Sequence, residues 1–72
     1  MRIVDNNILT PRETEIVLLL LTGKNKREIA QTLNLSISTI KTNIEHIYLK
    51  FGVHSKLQLI IYTIQNKIIE LD

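Results

Sequence analysis

The 72-residue chain contains no cysteine, so neither disulfide bonds nor a thiolate metal site can support its fold. Its longest apolar run, Ile16–Leu21, is far shorter than the ~20 residues that cross a bilayer. The first seven residues also lack the apolar stretch of a signal peptide. A chain this short buries only roughly 60% of its unfolded surface, which leaves little room for a catalytic cleft. We therefore expect one small cytoplasmic domain.

Sequence motifs for catalysis are also missing. We find no glycine-rich phosphate loop, nucleophile motif or convergent pair of acids. His46 and His54 have no carboxylate at ligand spacing, so a zinc site is not expected. The sequence thus predicts no enzyme activity, no metal, no cofactor and no small-molecule ligand.

The charges are unevenly distributed along the chain. The net charge is only +2, but six basic and two acidic residues lie between Lys24 and Lys56, and the other acids lie outside that segment. A basic middle can supply contacts to phosphate, although a solvated surface would give the same pattern.

Capping residues divide the chain into four predicted helices. Thr10, Asn25, Ser36 and Ser55 are suitable N-caps, and Glu13, Glu28 and Gln58 follow three of them at the capping-box spacing. The helices end near Gly23, Leu33, Gly52 and Asn66, respectively, with Ile69 as an alternative end of the fourth. A strand over 57–64 is the alternative that the many isoleucines leave open. We predict an all-α fold, a compact four-helix domain.

The two central helices have the pattern of a helix-turn-helix. A short helix, a tight connection at Asn34 and Leu35, and a longer helix with one polar face follow one another. On a helical wheel the longer helix places an apolar stripe toward the core: Ile37, Ile40, Ile44, Ile47 and Phe51. The opposite face consists of Ser38, Thr42, Glu45, His46 and Leu49.

The polar face of this helix carries side chains that can read base edges. Lys41 can donate to guanine, Thr42 can contact a thymine methyl group, and Asn43 can pair with adenine. Glu45 either accepts from cytosine or repels the DNA backbone. Ser36, Ser38 and Thr39 lie at the positive end of the helix dipole. A solvent-exposed amphipathic helix without DNA is the alternative reading of this pattern.

Most of the chain resembles the DNA-binding domain of the LuxR/NarL family of bacterial transcription regulators, whose smallest members, the GerE type, consist of this domain alone. The match runs without a gap from residue 9 to about residue 69. It rests on the following positions: Leu9, Thr10, Arg12, Glu13, Glu15, Gly23, Arg27, Glu28, Ile29, Ala30, Leu33, Ser36, Thr39, Ile40, Lys41, Ile47, Lys50, Phe51 and Val53. We assign 1–8 as an N-terminal extension, 9–69 as the domain and 70–72 as a C-terminal tail. The chain is expected to be either a complete GerE-like protein or the C-terminal domain of a larger response regulator.

The resemblance implies that the third helix (37–51) enters the major groove of double-stranded DNA and that the fourth (56–66) mediates dimerisation. With the helical wheel it predicts base contacts from Ser38, Lys41, Thr42 and Glu45. Phosphate contacts are expected from Lys24, Asn25, Lys26, Ser36, Thr39, Asn43, Lys50 and Lys56. The chain departs from the family pattern in having Asn43 for a histidine, Glu45 for a basic or polar residue, Lys56 for an arginine, and Leu59 for a small residue.

The last predicted helix is apolar on nearly every side, which usually indicates a partner. We expect a homodimer on an inverted-repeat operator, with an interface formed by Leu57, Ile60, Ile61 and Ile64. Two alternatives stay open. One is an interaction module of the same fold that docks on RNA polymerase or another regulator through this helix. The other is a piece of a larger machine, similar to the helix-turn-helix of sigma factors.

Overall fold

The computed structural model describes residues 2–3, 9–66 and 69–70, and within them the fold is built from four helices. These are α1 (Pro11–Leu21), α2 (Lys26–Leu33), α3 (Ile37–Phe51) and α4 (Lys56–Gln65). The predicted all-α fold with a central helix-turn-helix is confirmed. The alternative of a strand over 57–64 is wrong, because α4 occupies that segment.

A two-residue strand pair, which the helical pattern did not predict, joins the two ends of the chain. β1 (Arg2–Ile3) pairs antiparallel with β2 (Ile69–Glu70), with Arg2 opposite Glu70 and Ile3 opposite Ile69. The remaining residues assigned to the N-terminal extension and the C-terminal tail lie outside the described residues.

Each helix begins at its predicted cap. In α1 the Glu13 N–H donates to Thr10 Oγ1 at 3.1 Å, and the Thr10 N–H donates to Glu13 Oε1 at 2.9 Å. Asn25 and Glu28 form the same reciprocal pair at the start of α2, with distances of 2.8 and 3.0 Å. Each such box satisfies two backbone donors that the first helical turn would otherwise leave unpaired.

The fourth cap differs from the prediction in one partner. Ser55 Oγ accepts from the Gln58 N–H at 3.1 Å, as expected. The Gln58 side chain, however, accepts from the backbone N–H of His54 at 2.7 Å and not from that of Ser55. The predicted capping box is therefore wrong at this helix, because Gln58 bonds one residue further back along the chain.

The turn between α2 and α3 depends on a left-handed residue. Asn34 has φ 56° and ψ 45°, and asparagine is one of the few side chains that tolerates this conformation. The Leu35 N–H then donates to the carbonyl of Ala30 at 2.9 Å and closes the end of α2. The chain can thus reverse within two residues without a glycine, and α3 lies directly against α2.

The core is formed mainly by isoleucines from three helices. Ile16 of α1, Ile29 of α2, and Ile40 and Ile47 of α3 are fully buried. Burial of each such side chain contributes about 1.5–3 kcal/mol relative to exposure. From α4, Leu59 is also fully buried, so a position where the family has a small residue carries a large side chain packed into this core.

One residue of the predicted core stripe does not belong to the core. Ile37 is 46% exposed, whereas the other four members of the stripe are buried. Ile37 is the first residue of α3, and it lies at the edge of the core, where it lines a groove. Helical periodicity predicts on which side of α3 a side chain lies. It does not predict whether a neighbouring helix extends far enough to cover that side chain.

An ion pair connects the start of α1 with the end of α3. Lys50 Nζ lies 2.5 Å from Glu13 Oε1, and the Glu13 side chain is only 7% exposed. Burial by itself raises the pKa of the Glu13 carboxyl, but hydrogen bonds from Lys50 and Thr10, with the charge of Lys50, outweigh it. The pKa of Glu13 therefore lies below its ordinary value.

We expect Glu13→Gln to lower the free energy of unfolding by about 1–2 kcal/mol, because the amide can still accept from Thr10 but no longer attracts the Lys50 charge. Urea denaturation measures this change. The control is Glu15→Gln, since Glu15 is an exposed partner of Arg12 at 3.6 Å and should change stability by less than about 0.5 kcal/mol.

The same variant should change how stability depends on pH. Glu13 has a lowered pKa in the folded chain and an ordinary one when unfolded, so its contribution is complete above pH ~5 and is lost as the pH falls through the lowered pKa. Glu13→Gln should therefore lose less stability than the unsubstituted chain as the pH falls below ~5. Parallel pH profiles for the two proteins would contradict this assignment.

Candidate nucleic-acid interface

The outer face of α3 is exposed along its length and begins with short polar side chains. Ser38, Thr42 and Glu45 are exposed and share one side of the helix, opposite the buried stripe. Lys41 is exposed on the flank of this face. The structure thus brings together all four residues predicted to contact bases. Short side chains in the first two turns let a helix backbone approach the floor of a major groove.

The polar residues at the start of α3 are partly engaged within the helix. Ser36 Oγ accepts from the Thr39 N–H at 3.1 Å and donates to Thr39 Oγ1 at 2.8 Å. Asn43 Nδ2 donates to the Thr39 carbonyl at 2.8 Å. These three predicted phosphate contacts therefore have intrahelical roles as well. The Thr39 hydroxyl retains its own proton, and Asn43 retains a second amide hydrogen and its carbonyl oxygen.

A basic groove of about 550 Å³ runs beside this face. Its floor is apolar and includes Leu20, Ile44 and the exposed Ile37. Tyr48 also lines it, and burial raises the pKa of the Tyr48 phenol. A phenol is protonated at neutral pH and can donate a hydrogen bond there. The polar residues of the wall come from the starts of α2 and α4: Lys24, Asn25, Lys26, Arg27 and Lys56.

The cations of the basic groove have no anionic partner within the described part of the chain. The ion pairs found there join Arg12 to Glu15 and Lys50 to Glu13, which lie elsewhere. The groove also includes the N-termini of α2 and α4, whose dipoles add positive potential. Together these groups form a surface that favours phosphate beside the polar face of α3.

Arg27 lines the groove, although the sequence pattern predicted no DNA contact for it. It is exposed in the first turn of α2 and lines the groove with Lys24 and Lys26. The sequence indicated only that Arg27 flanks the buried face of α2, which Ile29 and Ala30 form. Without the packing of α2 against α3, that position did not show which surface the side chain would join.

Lys50 stands apart from the other predicted phosphate contacts. Its ammonium group is bound to Glu13, on the side of α3 that packs against α1. This interaction gives Lys50 a role in holding the end of α3 against α1.

The predicted dimer residues form an apolar stripe on α4. Leu57 is 66% exposed, Ile61 44% and Ile64 48%, and Ile60 is half-buried at the edge of the stripe. The opposite side of α4 is buried through Leu59 and Thr63, and the Thr63 hydroxyl donates to the Ile60 carbonyl at 2.8 Å. The exposed stripe is therefore not needed to cover the core of its own chain.

The described residues contain no group of three or more His, Cys, Asp or Glu side chains that could hold a metal ion. Among the helices that the structure describes, none is long and apolar enough to span a membrane.

Comparison with known proteins identifies this arrangement. Residues 7–63 match the family described as "Bacterial regulatory proteins, luxR family". The chain belongs to the luxR family. It carries the helix-turn-helix of that family, a DNA-binding domain of transcription regulators that are typically not enzymes.

Relatives of this luxR-family chain include longer regulators. The response regulator protein VraR of Staphylococcus aureus is 38% identical over 63 residues, which cover 88% of this chain and 30% of VraR. VraR of Staphylococcus epidermidis matches to the same extent. The chain thus spans about a third of the length of these relatives.

A solved structure has the same fold. It is that of the Vibrio cholerae VqmA dimer in the absence of target DNA, described as a LuxR-type receptor. The TM-score is 0.78 at 38% identity, over 83% of this chain and 27% of that one.

The basic groove leads to a prediction for Arg27. Arg27 places a cation in the groove, and that cation has no ion-pair partner in the described part of the chain. Arg27→Ala should therefore weaken binding to all DNA sequences about equally. The slope of log K against log salt should become shallower by about 0.9, the value for one phosphate contact on duplex DNA. Fluorescence anisotropy at several salt concentrations measures both quantities.

The matched control is Arg12→Ala, which removes an arginine from α1, paired with Glu15 and away from the groove. It should leave the salt slope unchanged. Equal slopes for Arg27→Ala and Arg12→Ala would show that the groove does not contact phosphate.

Proposed function

We propose that the chain binds an inverted-repeat operator as a homodimer and that each subunit reads one half-site with the first half of α3. The observation that carries this proposal is the basic groove beside the polar face of α3. A helix that enters the major groove is positioned by cations beside its entry point, because half or more of protein–DNA hydrogen bonds go to the sugar-phosphate backbone.

The proposed base contacts are those of the exposed face of α3. Lys41 donates to the O6 and N7 atoms of guanine, and Thr42 offers a methyl group to thymine and a hydroxyl to either strand. Ser38 lies one turn closer to the N-terminus of α3 and supplies a short donor and acceptor. Glu45 lies one turn beyond Lys41 and would face the same major groove of the DNA.

The proposed phosphate contacts surround this face. Those from the groove are Lys24, Asn25, Lys26, Arg27 and Lys56, and those from α3 itself are Thr39 and Asn43 with the backbone at the Ser36 cap. The free cations and the N-terminal dipoles favour this role.

The proposed dimer contact is the apolar stripe of α4. Its exposed leucine and isoleucines recur at i, i+4 and i+7, a spacing that lets two α4 helices pack along their length. A two-fold interface would place two reading helices about one DNA turn apart. The same stripe could instead meet RNA polymerase or another regulator, and the dimer experiment below distinguishes these partners.

Lys41→Ala should lower affinity for the selected operator by about 1–3 kcal/mol, while binding to random duplex falls much less. Lys26→Ala, the matched control, should weaken operator and random duplex by the same factor, because phosphate carries no sequence information. Competition binding with both duplexes measures the ratio. If Lys41→Ala leaves the ratio unchanged, Lys41 does not read a base.

Ile61→Asp should abolish dimerisation without unfolding the chain, because Ile61 is exposed and its replacement puts a charge into the proposed interface. Two linked sites gain on the order of 10²-fold in affinity over one. The variant should therefore bind a full inverted repeat little better than a half-site.

Gel shifts on full and half operators test this expectation, and sedimentation equilibrium gives the association state. Leu49→Asp, at a 79% exposed position on α3, serves as the control for sedimentation in the absence of DNA. If Ile61→Asp dimerises normally, the stripe does not bind a second copy, and RNA polymerase or another regulator becomes the partner to test.

A further inference from the structure

Glu45 is an acid on a surface that is otherwise suited to DNA. It is exposed on the same face of α3 as Ser38 and Thr42. Within the described part of the chain its carboxylate has neither a hydrogen bond nor an ion pair, although Lys41 lies one helical turn before it. The fold therefore does not use this charge, and the carboxylate is free to meet whatever faces α3.

A carboxylate in the major groove is a selective group. It can only accept hydrogen bonds, and most base-edge atoms there are acceptors as well. The donors are the N4 amino group of cytosine and the N6 amino group of adenine. In adenine the N7 acceptor lies beside the amino group and would repel a carboxylate, whereas cytosine presents its donor without that neighbour.

The spacing from Lys41 limits where the cytosine can be. Four helical residues advance about 6 Å along the axis, less than two base-pair steps of ~3.4 Å. A guanine read by Lys41 and a cytosine read by Glu45 should therefore lie within two base pairs of each other, on either strand.

We infer that Glu45 is a specificity-determining residue that requires cytosine at one position of each half-site. Where cytosine is present, the carboxylate accepts from its N4 amino group. At any other base, the unpaired negative charge faces acceptor atoms and opposes binding. Glu45 thus discriminates mainly by rejecting other sequences. This inference rests on the proposed function and adds the base that the site selects.

The test is parallel selection of binding sites from randomised duplex DNA at 100 mM salt, with the unsubstituted chain, Glu45→Ala, Glu45→Gln and Lys41→Ala. The unsubstituted chain should enrich a half-site with cytosine within two base pairs of the position that becomes degenerate in Lys41→Ala. Glu45→Ala should enrich the same half-site with the cytosine position degenerate. Glu45→Gln should shift that position to adenine, which glutamine binds through N6 and N7.

Binding measurements on the selected site complete the test. Replacing the cytosine pair should weaken the unsubstituted chain about 5- to 150-fold, the range for one base contact, and leave the binding of Glu45→Ala unchanged. The control is Glu15→Ala, which removes an exposed acid from α1 and should keep the cytosine preference. Unaltered thermal unfolding of Glu45→Ala would show that the effect lies in binding.

The outcomes separate this inference from the proposed function. If all variants select the same half-site, or if Glu45→Ala retains the cytosine, DNA reading stands and the role of Glu45 is overturned. If the unsubstituted chain enriches no sequence at all, the proposed function fails, and the inference with it.

Discussion

The contact between Glu13 and Lys50 ties the start of α1 to the end of α3. The Glu13 carboxylate accepts from the first turn of α1 and from the last turn of α3, so one buried group joins the start of one helix to the end of another. A domain of this size has only a few kilocalories per mole of net stability, so a contact worth about 1–2 kcal/mol matters to it. The contact therefore adds to the packing that holds the C-terminal end of α3 against α1.

The two faces of α3 divide packing from recognition. Ile40, Ile44 and Ile47 bind the helix to the core, and these branched side chains pack with little freedom. The opposite face contributes nothing to the core, so packing does not restrict which side chains it carries. Because the buried stripe holds α3 in place, packing does not constrain the exposed face, and an acid such as Glu45 can stand there.

The basic groove and the polar face of α3 fit the size of their proposed target. The domain measures 30 × 25 × 21 Å, less than one turn of duplex DNA, which is ~34 Å long. The cations come from α2 and α4, whose N-termini point to the same surface. The apolar stripe of α4 lies on a different side of that helix from its buried residues, so recognition and association can occupy separate surfaces.

The sequence by itself determined the four helices, their N-caps and the helix-turn-helix, because caps, turns and helical periodicity are set by residues three or four positions apart. It also indicated which side of α3 faces outward. Gln58 shows the limit even of local pattern, since its choice between two neighbouring backbone donors depends on the geometry of the turn. Only the tertiary structure decided that Ile37 lies in a groove, that Arg27 joins Lys56, and that Lys50 is bound by Glu13. These contacts join residues far apart in the chain, and their partners are known only once the helices have packed.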